Sequence, residues 1–149
     1  QETGTEDTEF NCRIYQKSCQ AVIIDIPMYY WVQRPTSITH QKVNPRYIDR
    51  ADSYYLCLQN IPKENTVYRG CCLEKLFKMI INVRYHASNT PYRHLAHLTA
   101  KRLKKQTANE FLKNRHIPFH IKLSLLSFYY IPPLYSGFMK LCETKARKK

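Results

Sequence analysis

Lys101-Arg102-Leu103-Lys104-Lys105 is the densest run of charge in the chain. Thr90 followed by Pro91 is a helix start, since a threonine can cap free amides and proline tolerates the first helical position. A helix running from there to about Gln106 places Arg93, His94, His97, Lys101, Lys104 and Lys105 on one side, with Arg102 completing the run. Tyr92, Leu95, Leu98, Thr99 and Leu103 fall on the other side. Cations at this spacing bind polyanions through salt-sensitive contacts, with sulfated glycosaminoglycan as the expected class. His94 and His97 also set two imidazoles on adjacent turns, as a metal site would. No clear third ligand accompanies them and the neighbouring cations repel a metal, so no metal is expected. His40, His116 and His120, near Lys122, could supply the acid and base of a secretory ribonuclease-like reaction. No lysine-bearing cysteine motif supports that alternative. Serine-hydrolase, zinc-protease and nucleotide-binding motifs are absent, so the expectation is a non-enzyme without a cofactor.

The charge surrounding these residues is lopsided. Residues 100–149 carry twelve Lys or Arg against Glu110 and Glu143, a net of +10, whereas residues 1–99 carry twelve against nine, a net of +3. The tail residues Lys145, Arg147, Lys148 and Lys149 extend the basic end. An aromatic–basic strand signature, a helix-turn-helix pattern and zinc-finger spacing are all missing, so no specific nucleic acid is expected.

Cys12, Cys19, Cys57, Cys71, Cys72 and Cys142 make an even set spread along the chain. Such usage predicts two or three disulfides in an oxidising compartment, and fifteen pairings remain open. Cys71 and Cys72 are neighbours and so reach to different partners. Cys142 ties the basic end back to the body. The most apolar stretch, 117–139, is interrupted by His120, Lys122, Pro132, Pro133 and Gly137, so no membrane span is expected.

The elements that must position these groups read as follows. Residues 1–10 hold Glu2, Glu6, Asp7 and Glu9 and no base, an acidic flexible tail. Residues 20–33, rich in Val, Ile, Tyr and Trp and broken by Pro27, predict an edge strand or two pieces. Residues 35–52 read as a loop, 53–58 as a second strand and 60–70 as turn. Leu73, Leu76, Phe77, Ile80 and Ile81 predict a helix over 71–85. The phase of the basic helix fails past Gln106, and Thr107-x-x-Glu110 predicts a fresh helix capped there. Phe119, Ile121, Leu123 and Leu125 alternate with polar residues, a strand ended by Pro132-Pro133, with 138–142 as its antiparallel partner.

Together these predict an α+β fold: one small domain over 11–142 with an antiparallel sheet, two to three helices and disulfide cross-links, followed by a basic flexible tail at 143–149. The expected role is a secreted, cytokine-like binding protein, a signalling ligand for a cell-surface or secreted receptor. Its basic face would hold heparin-like glycans. A Tyr-rich surface, Tyr29, Tyr30 and Trp31 with Tyr129, Tyr130 and Tyr135, would meet the protein partner. A non-enzymatic subunit of an extracellular or viral-surface assembly is the alternative non-catalytic reading.

Overall fold

The structure, a computed structural model, describes residues 6–18, 20, 22, 25–26 and 45–146. Its six helices are α1 Glu6–Lys17, α2 Pro45–Asn60, α3 Thr66–Ala87, α4 Arg93–Lys113, α5 Phe119–Tyr130 and α6 Pro132–Ala146. Among the described residues there is no strand, which overturns the α+β expectation and its antiparallel sheet. None of the helices is long and apolar enough to cross a membrane.

The centre is α3. The Asn65 side chain caps it by accepting from the Tyr68 amide at 3.2 Å. Arg84 and His86 place basic side chains in the last turn, where the helix dipole favours cations. The helix buries residues on more than one face, with Leu73, Leu76, Phe77 and Ile80 fully covered. It can do so because α2, α4, α5 and α6 all pack on it. Helices α2 and α4 also touch each other, closing a three-helix core, while α1 lies along α2. The expected helix over 71–85 is contained in α3, which begins five residues earlier.

The strands expected at 53–58 and 119–125 are helical for one shared reason: short apolar runs fit both periods. In α2 the covered set is Ile48, Ala51, Ser53, Cys57 and Leu58, a spacing of three and four that begins in the expected loop. In α5 the covered positions are Leu125 and Tyr129, one turn apart, with Ile121 half-buried one turn before them. Alternate apolar residues are therefore split between core and solvent. Pro132 stops α5 and opens α6, where a proline at the first position loses no helical bond; the expected partner strand at 138–142 lies inside α6. The strand expected over 20–33 falls almost entirely outside the described residues.

The break expected after Gln106 is also absent. Thr107 Oγ1 donates to the Leu103 carbonyl at 2.8 Å, one turn back, so its hydroxyl is satisfied inside a continuous α4 and caps nothing. The buried stripe of α4 is Ala96, Thr99, Ala100, Leu103, Thr107 and Phe111, whereas Leu95 and Leu98 are 44% and 49% exposed. Small residues let α4 approach α3 closely, and Phe111 stacks on Phe77 with ring centroids 3.9 Å apart and planes at 16°.

Candidate functional site

With that stripe turned inward, Arg93, His97, Lys101, Lys105, Asn109 and Lys113 form a row at every fourth residue of α4, all exposed, winding by about 40° per step around the helix axis. At 1.5 Å per residue it extends about 30 Å. His94 is exposed beside its first turns. No ion pair to a described residue neutralises any cation of the row.

Two of the expected anion-binding residues are engaged elsewhere. Arg102 pairs with Asp52 of α2 at 2.5 Å, and burial nonetheless pushes the Asp52 carboxyl above its usual value. Lys104 donates to the Tyr130 hydroxyl at 2.5 Å and lies 4.7 and 4.4 Å from the ring centroids of Tyr129 and Tyr130. Tyr129 is buried, with Arg84 over its ring at 4.5 Å and bonded to its carbonyl at 2.8 Å. So the expected basic and tyrosine surfaces meet at Lys104, and Tyr129 serves as packing.

Of the other expected interface residues, Tyr130 is exposed. Tyr135 is half-buried, edge-on to Tyr85 and hydrogen-bonded to Asn82. Tyr29, Tyr30 and Trp31 lie outside the described residues. Along α5 and α6, Phe119, Leu123, Ile131, Leu134 and Phe138 are exposed.

The groups considered for acid–base chemistry sit around the α4–α5 turn. His116 Nε2 is 3.1 Å from Thr66 Oγ1, Lys122 donates to the Leu112 carbonyl at 2.7 Å, and His120 is exposed. His40 lies outside the described residues. Among the described residues, no third metal-ligating side chain joins His94 and His97.

At the Lys113 end of the row α4 meets the start of α3, and a cleft of about 520 Å³ opens there. It is lined by Lys63, Thr66, Arg69, Asn109, Glu110, Lys113, Asn114 and Arg115. Its floor is the buried Arg69 guanidinium. Nε and Nη2 grip the Glu110 carboxylate at 2.5 and 2.8 Å, and Nη1 donates to the carbonyls of Leu58 and Ile61 at 2.9 and 2.5 Å. The hydrogen bond from Glu110 holds the guanidinium above its ordinary value against the opposing pull of burial. Asn114 Nδ2 donates to the Thr66 carbonyl at 2.9 Å and its Oδ1 accepts from the His116 amide at 2.9 Å, which locks the cleft wall. A Cβ at Gly70 would come within 2.9 Å of that Oδ1, so a larger residue there would push the Asn114 side chain out of its place.

This cleft is not among the sites expected from the sequence. Two signals for it were present. Arg69 stands in phase with the apolar residues of α3, and Glu110 is a lone acid in a basic stretch.

Three of the cysteines gather where α1, α2 and α3 meet. Cys12 Sγ is 3.7 Å from the Cys57 carbonyl oxygen, and Cys72 Sγ is 3.4 Å from the Tyr54 carbonyl oxygen, one turn earlier in α2. Tyr68, one turn before Cys72 in α3, hydrogen-bonds with Cys12. No described sulfurs stand at bonding distance; Cys71 is exposed, and Cys19 and the Cys142 side chain lie outside the described part.

Burial, with Cys12 alongside, pushes the Cys72 thiol up to about 12; burial, then the bond to Cys12, pushes Tyr68 to about 12 as well. A raised thiol keeps its proton in the fold after the unfolded chain has lost its own. Stability is therefore unaffected below about pH 9, the ordinary thiol value, and falls as pH rises toward 12. The slope is about 1.4 kcal/mol per pH unit for each such group. Urea midpoints of the reduced protein, followed from neutral to alkaline pH, should fall more steeply for the native chain than for Cys72→Ala. Parallel curves would refute the assignment.

The chain matches none of the protein-family models, curated proteins or solved structures with which it was compared.

Proposed function

We propose that the protein is a non-enzymatic binding module that docks on linear polyanions through the outer face of α4. Sulfated glycosaminoglycan in an extracellular setting is the partner class. The observation that carries this reading is the row Arg93, His97, Lys101, Lys105 and Lys113, exposed along one helix with no carboxylate of a described residue paired to it. An extended, rigid row of charge suits an extended ligand. Each contact releases a condensed counterion and makes affinity salt-dependent.

Heparin chromatography tests the reading. Lys101→Glu with Lys105→Glu should elute at distinctly lower salt than the native chain. By the relation established for nucleic acids, the slope of log affinity against log salt should drop by about 1.5 for two contacts. Lys104→Glu should shift elution less, because Lys104 is already held by Tyr129 and Tyr130. Circular dichroism confirms that the variants are folded. Co-elution of the double variant with the native chain would sink the proposal.

A further inference from the structure

The cleft at the end of the row has different chemistry from the row itself. Lys63 comes from the turn between α2 and α3, while Lys113 and Arg115 come from the end of α4, about fifty residues later. The bonds from Asn114 and His116 to Thr66 bring these two parts of the chain together. None of the three cations makes an ion pair with a described residue, and all three are exposed. The cleft's only lining carboxylate, Glu110, has both oxygens occupied by Arg69. Its charge is matched in place, so the field inside is set by Lys63, Lys113 and Arg115.

Two lysines act as point charges, and the arginine adds a planar fork suited to a tetrahedral oxyanion. Thr66 and Asn109 offer neutral polar groups on the walls. The Arg69 floor, tied to Glu110 and two carbonyls, does not have to reorganise when a ligand enters. A volume of about 520 Å³ admits more than a bare ion.

We infer that this cleft is a discrete binding site for one phosphate or sulfate ester group, held by Lys63, Lys113 and Arg115 above the Arg69–Glu110 pair. The group can belong to a small free ester or to the end of a polyanion lying on α4. The inference does not depend on polyanion docking: the cleft can bind an ester even if the row binds nothing.

Titration calorimetry of the full chain with phenyl phosphate, and separately with a heparin hexasaccharide, tests it. Phenyl phosphate should bind saturably at one site, and Lys63→Gln with Arg115→Gln should weaken it about tenfold or more. A charge-matched control, Lys17→Gln with Lys75→Gln, removes two exposed cations that do not line the cleft and should change affinity less than about twofold. Circular dichroism confirms the fold of both variants. If the hexasaccharide also weakens in the cleft variant, the chain end occupies the site; if only phenyl phosphate weakens, the occupant is a small ester. Unsaturable phosphate binding, or equal losses in the cleft variant and the control, would overturn the inference.

Discussion

Replacing Arg69 by methionine should cost the fold about 3 kcal/mol, moving the urea midpoint by about 1.5–2 M. The substitution keeps the length of the side chain and removes everything its head group does. At the end of α2 the Ile61 carbonyl loses the Arg69 donor and that of Leu58 keeps only the Ile61 amide at 3.3 Å, while the Glu110 carboxylate loses both hydrogen bonds. The Arg69 side chain is 8% exposed and that of Glu110 38%. Water can therefore reach one edge of the stranded carboxylate, which places the loss at the lower end of the range for a broken buried pair, about 3–5 kcal/mol. Adding Glu110→Leu should restore part of the loss by removing the unpaired charge, and the double-mutant cycle should show coupling of about 1 kcal/mol or more. A loss below about 1 kcal/mol, typical of a surface site, would mean the clamp is not formed.

Phe111→Ala should cost about 3–5 kcal/mol, at least as much as the clamp, because it empties a ring-sized volume in the α3–α4 seam. Phe111 and Phe77 are both fully buried and stacked on each other, so the cavity also removes the partner of Phe77. A cost of about 1 kcal/mol or less, as at a surface position, would mean that Phe111 does not fill the seam. Thermal or urea unfolding of the variant distinguishes the two, with Leu112→Ala, a half-exposed neighbour, as the reference for a surface change.

The regions that sequence reading resolved and those it missed differ in how their apolar residues are distributed. Leu73, Leu76, Phe77, Ile80 and Ile81 are large, close together and covered, so the helix they form was legible from spacing alone. In α4 the covered stripe consists largely of alanine and threonine, while Leu95 and Leu98 face water. A reading weighted by hydrophobicity therefore rotated the helix and broke it at Thr107. In α5 an alternating pattern masked positions 121, 125 and 129, which are spaced by four. The cations of α4 were legible because charge needs no phase to be noticed. What could not be seen was that Arg102 and Lys104 would be taken up by Asp52 and Tyr130, since those contacts join residues 50 and 26 positions apart. The cleft was hidden for the same reason: its walls are neighbours only after α3 and α4 have paired.

The packing order of the helices also bears on how quickly the chain can fold. The core is built by α2, α3 and α4, which follow one another along the chain, with α5 and α6 returning onto α3. The loops closed are short and the native contacts mostly local, an arrangement that favours rapid folding over the slow search that a sheet between distant strands would require. The paired hairpin of α3 and α4 is a natural nucleus, since it holds both the Phe77–Phe111 stack and the Arg69–Glu110 clamp. Helix α1, lying along α2 at the margin, would then be the last part to dock and the first to open.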